Sequence, residues 1–89
     1  MKLNRSAAAG TLESSDIYVQ AAPGNGQVEI QLESIVYQQF GPSIVETIRS
    51  VAEELGVTDA VISAVDRGAL DCTIRARVET ALKRAAKEA

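Results

Sequence analysis

Apolar and polar positions alternate along the first third of the chain with the period of strands. Ala8, Gly10 and Leu12 alternate with Ala9, Thr11 and Glu13, a weak signal because alanine is a poor strand former. Ser14-Ser15-Asp16 interrupts this segment, leaving a connection of about two or three residues. Ile17, Val19 and Ala21 then alternate with Tyr18 and Gln20, a better strand. Pro23-Gly24-Asn25-Gly26 follows. Asn-Gly is a favoured pair for a tight hairpin turn, because both residues tolerate positive φ. Val28, Ile30 and Leu32 against Glu29, Gln31 and Glu33 form the clearest half-buried strand.

The period then lengthens to that of a helix. Ser34 can cap a short helical turn through Val36, Tyr37 and Phe40. Pro42 suits the first turn of a second helix, where its missing N–H costs nothing. Whether these are two helices or one kinked helix stays open. Ile44, Ile48, Val51, Ala52 and Leu55 share a stripe, with Glu46, Arg49 and Glu53 opposite. Gly56 stands where a left-handed C-cap is expected. Val57 to Val65 is a β-branched run, read as a strand buried on much of both faces. Asp66-Arg67-Gly68 is a turn. From Ala69 to the end, Leu70, Ile74, Val78, Ala81, Leu82 and Ala85 share the stripe of a final helix.

The order is β-β-β-α-β-α. It predicts an α+β two-layer sandwich, a small sheet with two amphipathic helices on one face. The third strand, the helix and the fourth strand can form a crossover, right-handed if those strands are parallel. The length of 89 residues predicts a single domain, 1–89, with a small core and hardly room for a deep pocket.

Composition removes several chemistries. There is no His, so no imidazole base or His metal ligand; one Cys makes neither an intrachain disulfide nor a Cys-rich zinc site. The formal charge of −3 argues against nucleic acid as a partner, and a single Phe with no Trp leaves little for base stacking. Lys83, Arg84 and Lys87 read as favourable charge at a helix C-terminus. Neither a signal peptide nor a transmembrane helix is read, so the expectation is a cytoplasmic protein without a membrane.

Three features could carry chemistry. Ser14 and Ser15 lie at a turn tip, where a hydroxyl projects to solvent. The chain has no His, and the flanking Glu13 and Asp16 could accept a proton but alone do not make a nucleophilic site; another enzyme could modify one of the serines. The plain alternative is turn chemistry, in which Ser and Asp bond the local backbone. Cys72, in the first turns of the last helix, is either a thiolate favoured by helix N–H groups or a small half-buried core residue. Asp66, Arg67, Asp71, Arg75 and Arg77 are either a solvated helix end, with Asp71 and Arg75 paired, or a docking surface for a partner protein or a phosphate-bearing group. Gly24-Asn25-Gly26 is no phosphate loop, since no helix N-terminus follows it.

Three segments resemble one family. Ala9-Gly10-Thr11-Leu12-Glu13-Ser14-Ser15-Asp16 is similar to the Ala-Gly-Thr-Leu-Glu-Ser-Gly-Asp signature of the acyl carrier protein (γ) subunit of citrate lyase. Gln38-Gln39-Phe40-Gly41 resembles the segment before the family's first long helix. Asp66 to Arg77 resembles the family's Asp-Lys-Gly-Ala-Leu-Asp-Cys segment and its continuation to Arg-Ala-Arg. The resemblance runs from about residue 2 to about residue 86.

The resemblance implies that Ser14 carries a phosphoribosyl dephospho-coenzyme A group through a phosphodiester. Ser15 stands where the family usually has Gly, and is the less favoured hydroxyl. It implies a non-catalytic carrier whose arm presents acyl groups as thioesters. A partner α subunit would exchange acetyl for citryl, and a partner β subunit would release oxaloacetate and restore the acetyl form. A prosthetic-group transferase would install the arm, and any metal would belong to a partner. The alternatives are a carrier of malonate decarboxylase, which resembles this family, or an interaction domain without a prosthetic group.

Overall fold

The computed structural model describes residues 1–87 and follows the expected order: β1 (Ala7–Gly10), β2 (Ile17–Ala22), β3 (Val28–Ser34), α1 (Tyr37–Glu54), β4 (Ala60–Asp66) and α2 (Asp71–Ala86). The last two residues of the helix expected to reach the C-terminus lie outside the described residues. The sheet order is β1-β2-β4-β3. β1 pairs antiparallel with β2, and β2 antiparallel with β4, Ile17 facing Asp66 and Ala22 facing Val61. β3 runs parallel to β4, from Val28 opposite Ala60 to Ser34 opposite Asp66. β3, α1 and β4 therefore form the crossover that links parallel neighbours.

The core lies between the sheet and the helices. Ile17, Val19 and Ala21 of β2 and Ala60, Ile62 and Ala64 of β4 are buried, as period-two strands with one covered face require. Ile44, Ile48, Val51 and Ala52 of α1 meet them, with Ile74, Val78, Ala81, Leu82 and Ala85 of α2. Each fully buried aliphatic side chain contributes about 1.5–3 kcal/mol of transfer free energy. The other face of β4 is only half covered: Val61, Ser63 and Val65 remain partly accessible. The N-terminal segment is also part of the fold. Leu3 is buried, and the N–H groups of Asn4 and Arg5 donate to the Ala85 carbonyl at 2.8 and 3.2 Å, satisfying the end of α2.

Several expectations change. Asn25-Gly26 does not close a hairpin, because β4 inserts between β2 and β3. The Gly24 and Gly26 N–H groups instead donate to Oδ1 of Asp59 at 2.9 and 3.2 Å, tying this loop to the start of β4. The two helical pieces are one helix, with Pro42 inside it. Ser34 belongs to β3, its hydroxyl accepting the Val36 N–H at 3.1 Å. Gly56 does take a left-handed φ of 68°, and the bonds Gly56 N–H to Glu53 O and Val57 N–H to Ala52 O complete a Schellman cap. Leu70 drops out of the core stripe, because α2 starts one residue later and leaves it 70% exposed.

Candidate functional site

The segment between β1 and β2 is a six-residue loop, Thr11 to Asp16, longer than the expected connection of about two or three residues. Gly10 ends β1. Its φ is +90°, and a Cβ there would stand 1.9 Å from the Ile17 carbonyl oxygen, so the bend admits only glycine. Thr11 begins the loop with its hydroxyl, which accepts the Glu13 N–H at 3.1 Å and donates to Oδ2 of Asp16 at 2.7 Å. The Asp16 N–H donates to the Glu13 carbonyl at 3.2 Å. Ser15 sits in the left-handed region, φ 64°, which costs a residue with a Cβ about 1–2 kcal/mol.

Asp16 is the hub of this loop. Oδ1 accepts the Ile17 N–H at 2.7 Å and Arg77 Nε at 3.1 Å, while Oδ2 accepts Arg77 Nη2 at 3.2 Å. Arg77 and then Thr11 lower its pKa from 3.8 to about 2, against an opposing push from burial. The Asp16 side chain is 13% exposed, so the pair is sheltered on one side only.

A second set of bonds fixes the loop to the β4–α2 connection. The Ser15 N–H donates to the Arg67 carbonyl at 2.8 Å, and the Arg67 N–H to the Asp16 carbonyl at 2.9 Å. Asp66 anchors that connection from below. It is 1% exposed, and its carboxylate accepts the Ser34 hydroxyl at 2.8 Å, the Gly68 N–H at 3.2 Å and the Ala69 N–H at 3.0 Å. A buried carboxylate is tolerated when its lone pairs are filled in this way. Asp66 is therefore no solvated turn residue.

Ser14 lies at the tip of the loop that these bonds hold. It is exposed, and its hydroxyl has no hydrogen-bond partner among the described residues. The oxygen is available from solvent, while the backbone on its C-terminal side is pinned at Ser15 and Asp16. A second molecule can reach that oxygen without breaking a side-chain hydrogen bond among the described residues. Ser15 is exposed too, but its backbone conformation is the constrained one.

The remaining candidates separate. Cys72 is exposed and free, not half-buried in the core. Arg75 bonds Glu54 of α1, with Nη2 to Oε1 at 2.8 Å, and leaves Asp71 to accept the Thr47 hydroxyl at 2.9 Å. The expected Asp71–Arg75 pair gives way to these helix–helix contacts. Arg77 is occupied by Asp16. The cations read as a docking surface are thus largely committed within the chain.

What the sequence pattern missed is the apolar character of this end. Six large apolar side chains are exposed among the described residues, and Leu12, Ile35, Tyr37, Phe40 and Leu70 border the Ser14 end; Met1 does not. Val36, Phe40, Ile44, Leu70 and Ile74 line a groove of about 300 Å³ between α1 and α2. Only Leu12 neighbours Ser14 in sequence, so no local signal could have gathered the others.

The chain is similar to known proteins over nearly its whole length. The family model described as malonate decarboxylase delta subunit (MdcD) matches residues 4–85. The citrate lyase acyl carrier protein of Weissella paramesenteroides is 51% identical over 85 residues, covering 96% of this chain and 88% of that protein. The citrate lyase acyl carrier protein of Halothermothrix orenii is 47% identical over 89 residues, covering 100% and 95%. Among solved structures, a chain of a Pseudomonas malonate decarboxylase hetero-tetramer in complex with malonate superposes with a TM-score of 0.72 and 26% identity, over 90% of this chain and 82% of that one.

Proposed function

The chain belongs to the citrate lyase acyl carrier protein family, and we propose that Ser14 is the residue through which it holds its covalent prosthetic group. It is an acyl carrier of a multi-subunit lyase complex. The observation that carries the choice of Ser14 is its free, exposed hydroxyl at the tip of a loop pinned on both Ser15 and Asp16. Residues 1–89 act as one acyl-carrier domain.

The group we assign is phosphoribosyl dephospho-coenzyme A, joined by a phosphodiester to Ser14. When bound, it supplies a thiol on a long tether that presents acyl groups as thioesters. The chain's own residues do three things. The Ser14 oxygen anchors the tether. Asp16, Arg77 and Thr11 keep the loop rigid, so that a transferase meets the hydroxyl in a fixed place. The globular body is the part partners recognise, so that a tethered acyl group is held at high local concentration beside each partner site. The chain has no imidazole to serve as a base, and we read it as non-catalytic.

The partners in this reading are an acyl-exchanging α subunit, a citryl-cleaving β subunit and the transferase. Each must receive an arm that starts at Ser14, so each faces the end rimmed by Leu12, Ile35, Tyr37, Phe40 and Leu70. Exposed apolar side chains concentrated in this way mark contact surfaces. The free, exposed Cys72 suits the reducing cytoplasm. A second reading, the carrier of malonate decarboxylase, is favoured by the likeness to the Pseudomonas structure.

Intact mass of protein from its native cells tests the attachment. The expected result is an added mass that maps to Ser14 and disappears in Ser14→Ala but not in Ser15→Ala. An unmodified mass from cells degrading citrate overturns it. Assay of the loaded carrier with citryl and malonyl chemistry separates the two readings.

A further inference from the structure

The end of the molecule that carries Ser14 is rich in acid. Glu13 and Asp16 lie in the loop, Glu33 near the end of β3, Asp66 at the end of β4 and Asp71 at the start of α2. The cations of the β4–α2 connection and the first half of α2 are Arg67, Arg75, which is committed to Glu54, and Arg77. Arg77 is committed to Asp16 by two hydrogen bonds. Arg67 is different: it is exposed, and its guanidinium has no acceptor among the described residues.

Its main chain, by contrast, is fixed. The Arg67 carbonyl accepts the Ser15 N–H at 2.8 Å, and the Arg67 N–H donates to the Asp16 carbonyl at 2.9 Å. These bonds carry the antiparallel β2–β4 register one step beyond the Ile17–Asp66 pair. They hold Arg67 across from the two residues that follow Ser14, so its long side chain starts beside the loop tip. Other cations without acceptors lie elsewhere. Lys2 follows Met1, whose amino group bonds the Gly56 carbonyl at the far end of α1; Lys87 follows α2; Arg49 lies in the C-terminal half of α1.

We propose that Arg67 forms a phosphate site, the counter-ion of the phosphodiester at Ser14. This rests on the reading of Ser14 as the attachment point. A phosphodiester places a negative charge next to Glu13, in a region where Asp16 has already taken the Arg77 guanidinium. An uncommitted cation on a pinned backbone offsets that repulsion. The guanidinium fork matches two phosphate oxygens, which an ammonium meets only as a point charge. Exposure keeps the effect modest, because water and salt screen the pair. The same side chain meets the phosphates of the incoming donor, so Arg67 acts both in loading and in holding the loaded arm.

The test uses the full chain with Arg67→Gln, Arg67→Glu and Arg67→Lys. Only main-chain atoms of Arg67 bond the loop, so these variants keep the fold, which circular dichroism checks. Each is loaded by the transferase, and intact mass confirms the product. Phosphorus NMR of the loaded proteins then reads the phosphodiester directly. The expected result is a resonance shifted in Arg67→Gln, shifted further in Arg67→Glu and partly restored in Arg67→Lys. Donor KM in Arg67→Gln rises by about 3- to 10-fold with kcat little changed, the size of one partly screened ion pair.

Loading at Ser14 with an unchanged resonance and an unchanged donor KM in Arg67→Gln overturns the phosphate site alone. Failure of the wild-type chain to load at Ser14 overturns the attachment reading, and this inference with it. The two failures are therefore told apart by mass before any spectrum is taken.

Discussion

Arg77 on α2 holds both carboxylate oxygens of Asp16, 61 residues earlier in the chain, at 3.1 and 3.2 Å. The contact joins the last helix to the loop that carries Ser14. It passes over Gly10, where an added Cβ would come within 3.3 Å of Arg77 Cδ. Helix, glycine and loop therefore form one unit. The position of the Ser14 hydroxyl depends on a residue remote in sequence.

This pair gives stability a defined dependence on pH. The folded-state pKa of Asp16 is depressed from 3.8 to about 2. Its contribution is thus fully present above the unfolded value and is lost as pH falls through the folded one. Arg77 is 41% exposed on its side chain, so screening trims the contribution to about 1–2 kcal/mol. Asp16→Asn should lower neutral-pH stability by about that amount and flatten the acid limb between pH 3.8 and about 2. Urea titrations at a series of pH values measure both effects. An acid limb identical to wild type would exclude Asp16 as the source.

Ser15 offers a prediction of opposite sign. It occupies φ 64°, a conformation that favours glycine. Ser15→Gly removes the left-handed strain, offset in part by the greater freedom of glycine in the unfolded chain. The expected net gain is about 0.5–1 kcal/mol in urea unfolding. Ser15→Val, β-branched at the same φ, should destabilise instead. Loading at Ser14 should survive Ser15→Gly.

The element order was legible because each strand and helix announces itself locally. Ile17–Val19–Ala21 and Val28–Ile30–Leu32 repeat at two, and Ile44–Ile48–Val51 and Ile74–Val78–Ala81 at helical spacing. Strand neighbours are not a local property. Asn25-Gly26 has hairpin chemistry, yet β4 pairs with β2 along one edge and with β3 along the other, and takes the central place. Gly41-Pro42 looks like a break, but a proline six residues into α1 leaves unpaired only an exposed carbonyl near the helix start. The alternation on either side of Ser14-Ser15-Asp16 predicted a connection between two strands, and Ser14 lies in the loop between β1 and β2. The contacts that hold its loop, from Arg67 and Arg77, join segments that no periodicity links.

Asp66 illustrates the same gap and supports a third prediction. Its buried carboxylate fills three donors, from Ser34, Gly68 and Ala69. Asp66→Ala would leave those donors without a partner in a site that is 1% exposed. The expected cost is about 2–4 kcal/mol in chemical denaturation, since an orphaned buried group costs about 1–3 kcal/mol. Asp66→Asn keeps the size and one acceptor and should lose less. Equal losses would mean that shape, not hydrogen bonding, sets the role of Asp66. Faster hydrogen exchange at Ser15 in Asp66→Ala would trace the damage to the Ser14 loop through Arg67.

The apolar rim and the committed cations together predict how partners recognise this carrier. Arg75 is tied to Glu54 and Arg77 to Asp16, so reversing their charge breaks contacts inside the chain before it touches an interface. Loss of complex formation in such variants should therefore track loss of fold stability. Phe40 and Leu70 behave differently. They are 54% and 70% exposed, so changing them to Ser removes little buried surface and should alter stability by no more than about 0.5 kcal/mol. If partners cover this end, Phe40→Ser and Leu70→Ser should each weaken assembly by about 5- to 30-fold, the equivalent of about 1–2 kcal/mol for burying an apolar side chain. Titration calorimetry of the loaded carrier with purified partner subunits measures the change, and its heat-capacity term should shrink with the apolar area lost. Unchanged affinity in both variants, with weakened affinity in a charge-reversed Arg75 chain that still folds, would assign recognition to the ionic face of α2 instead.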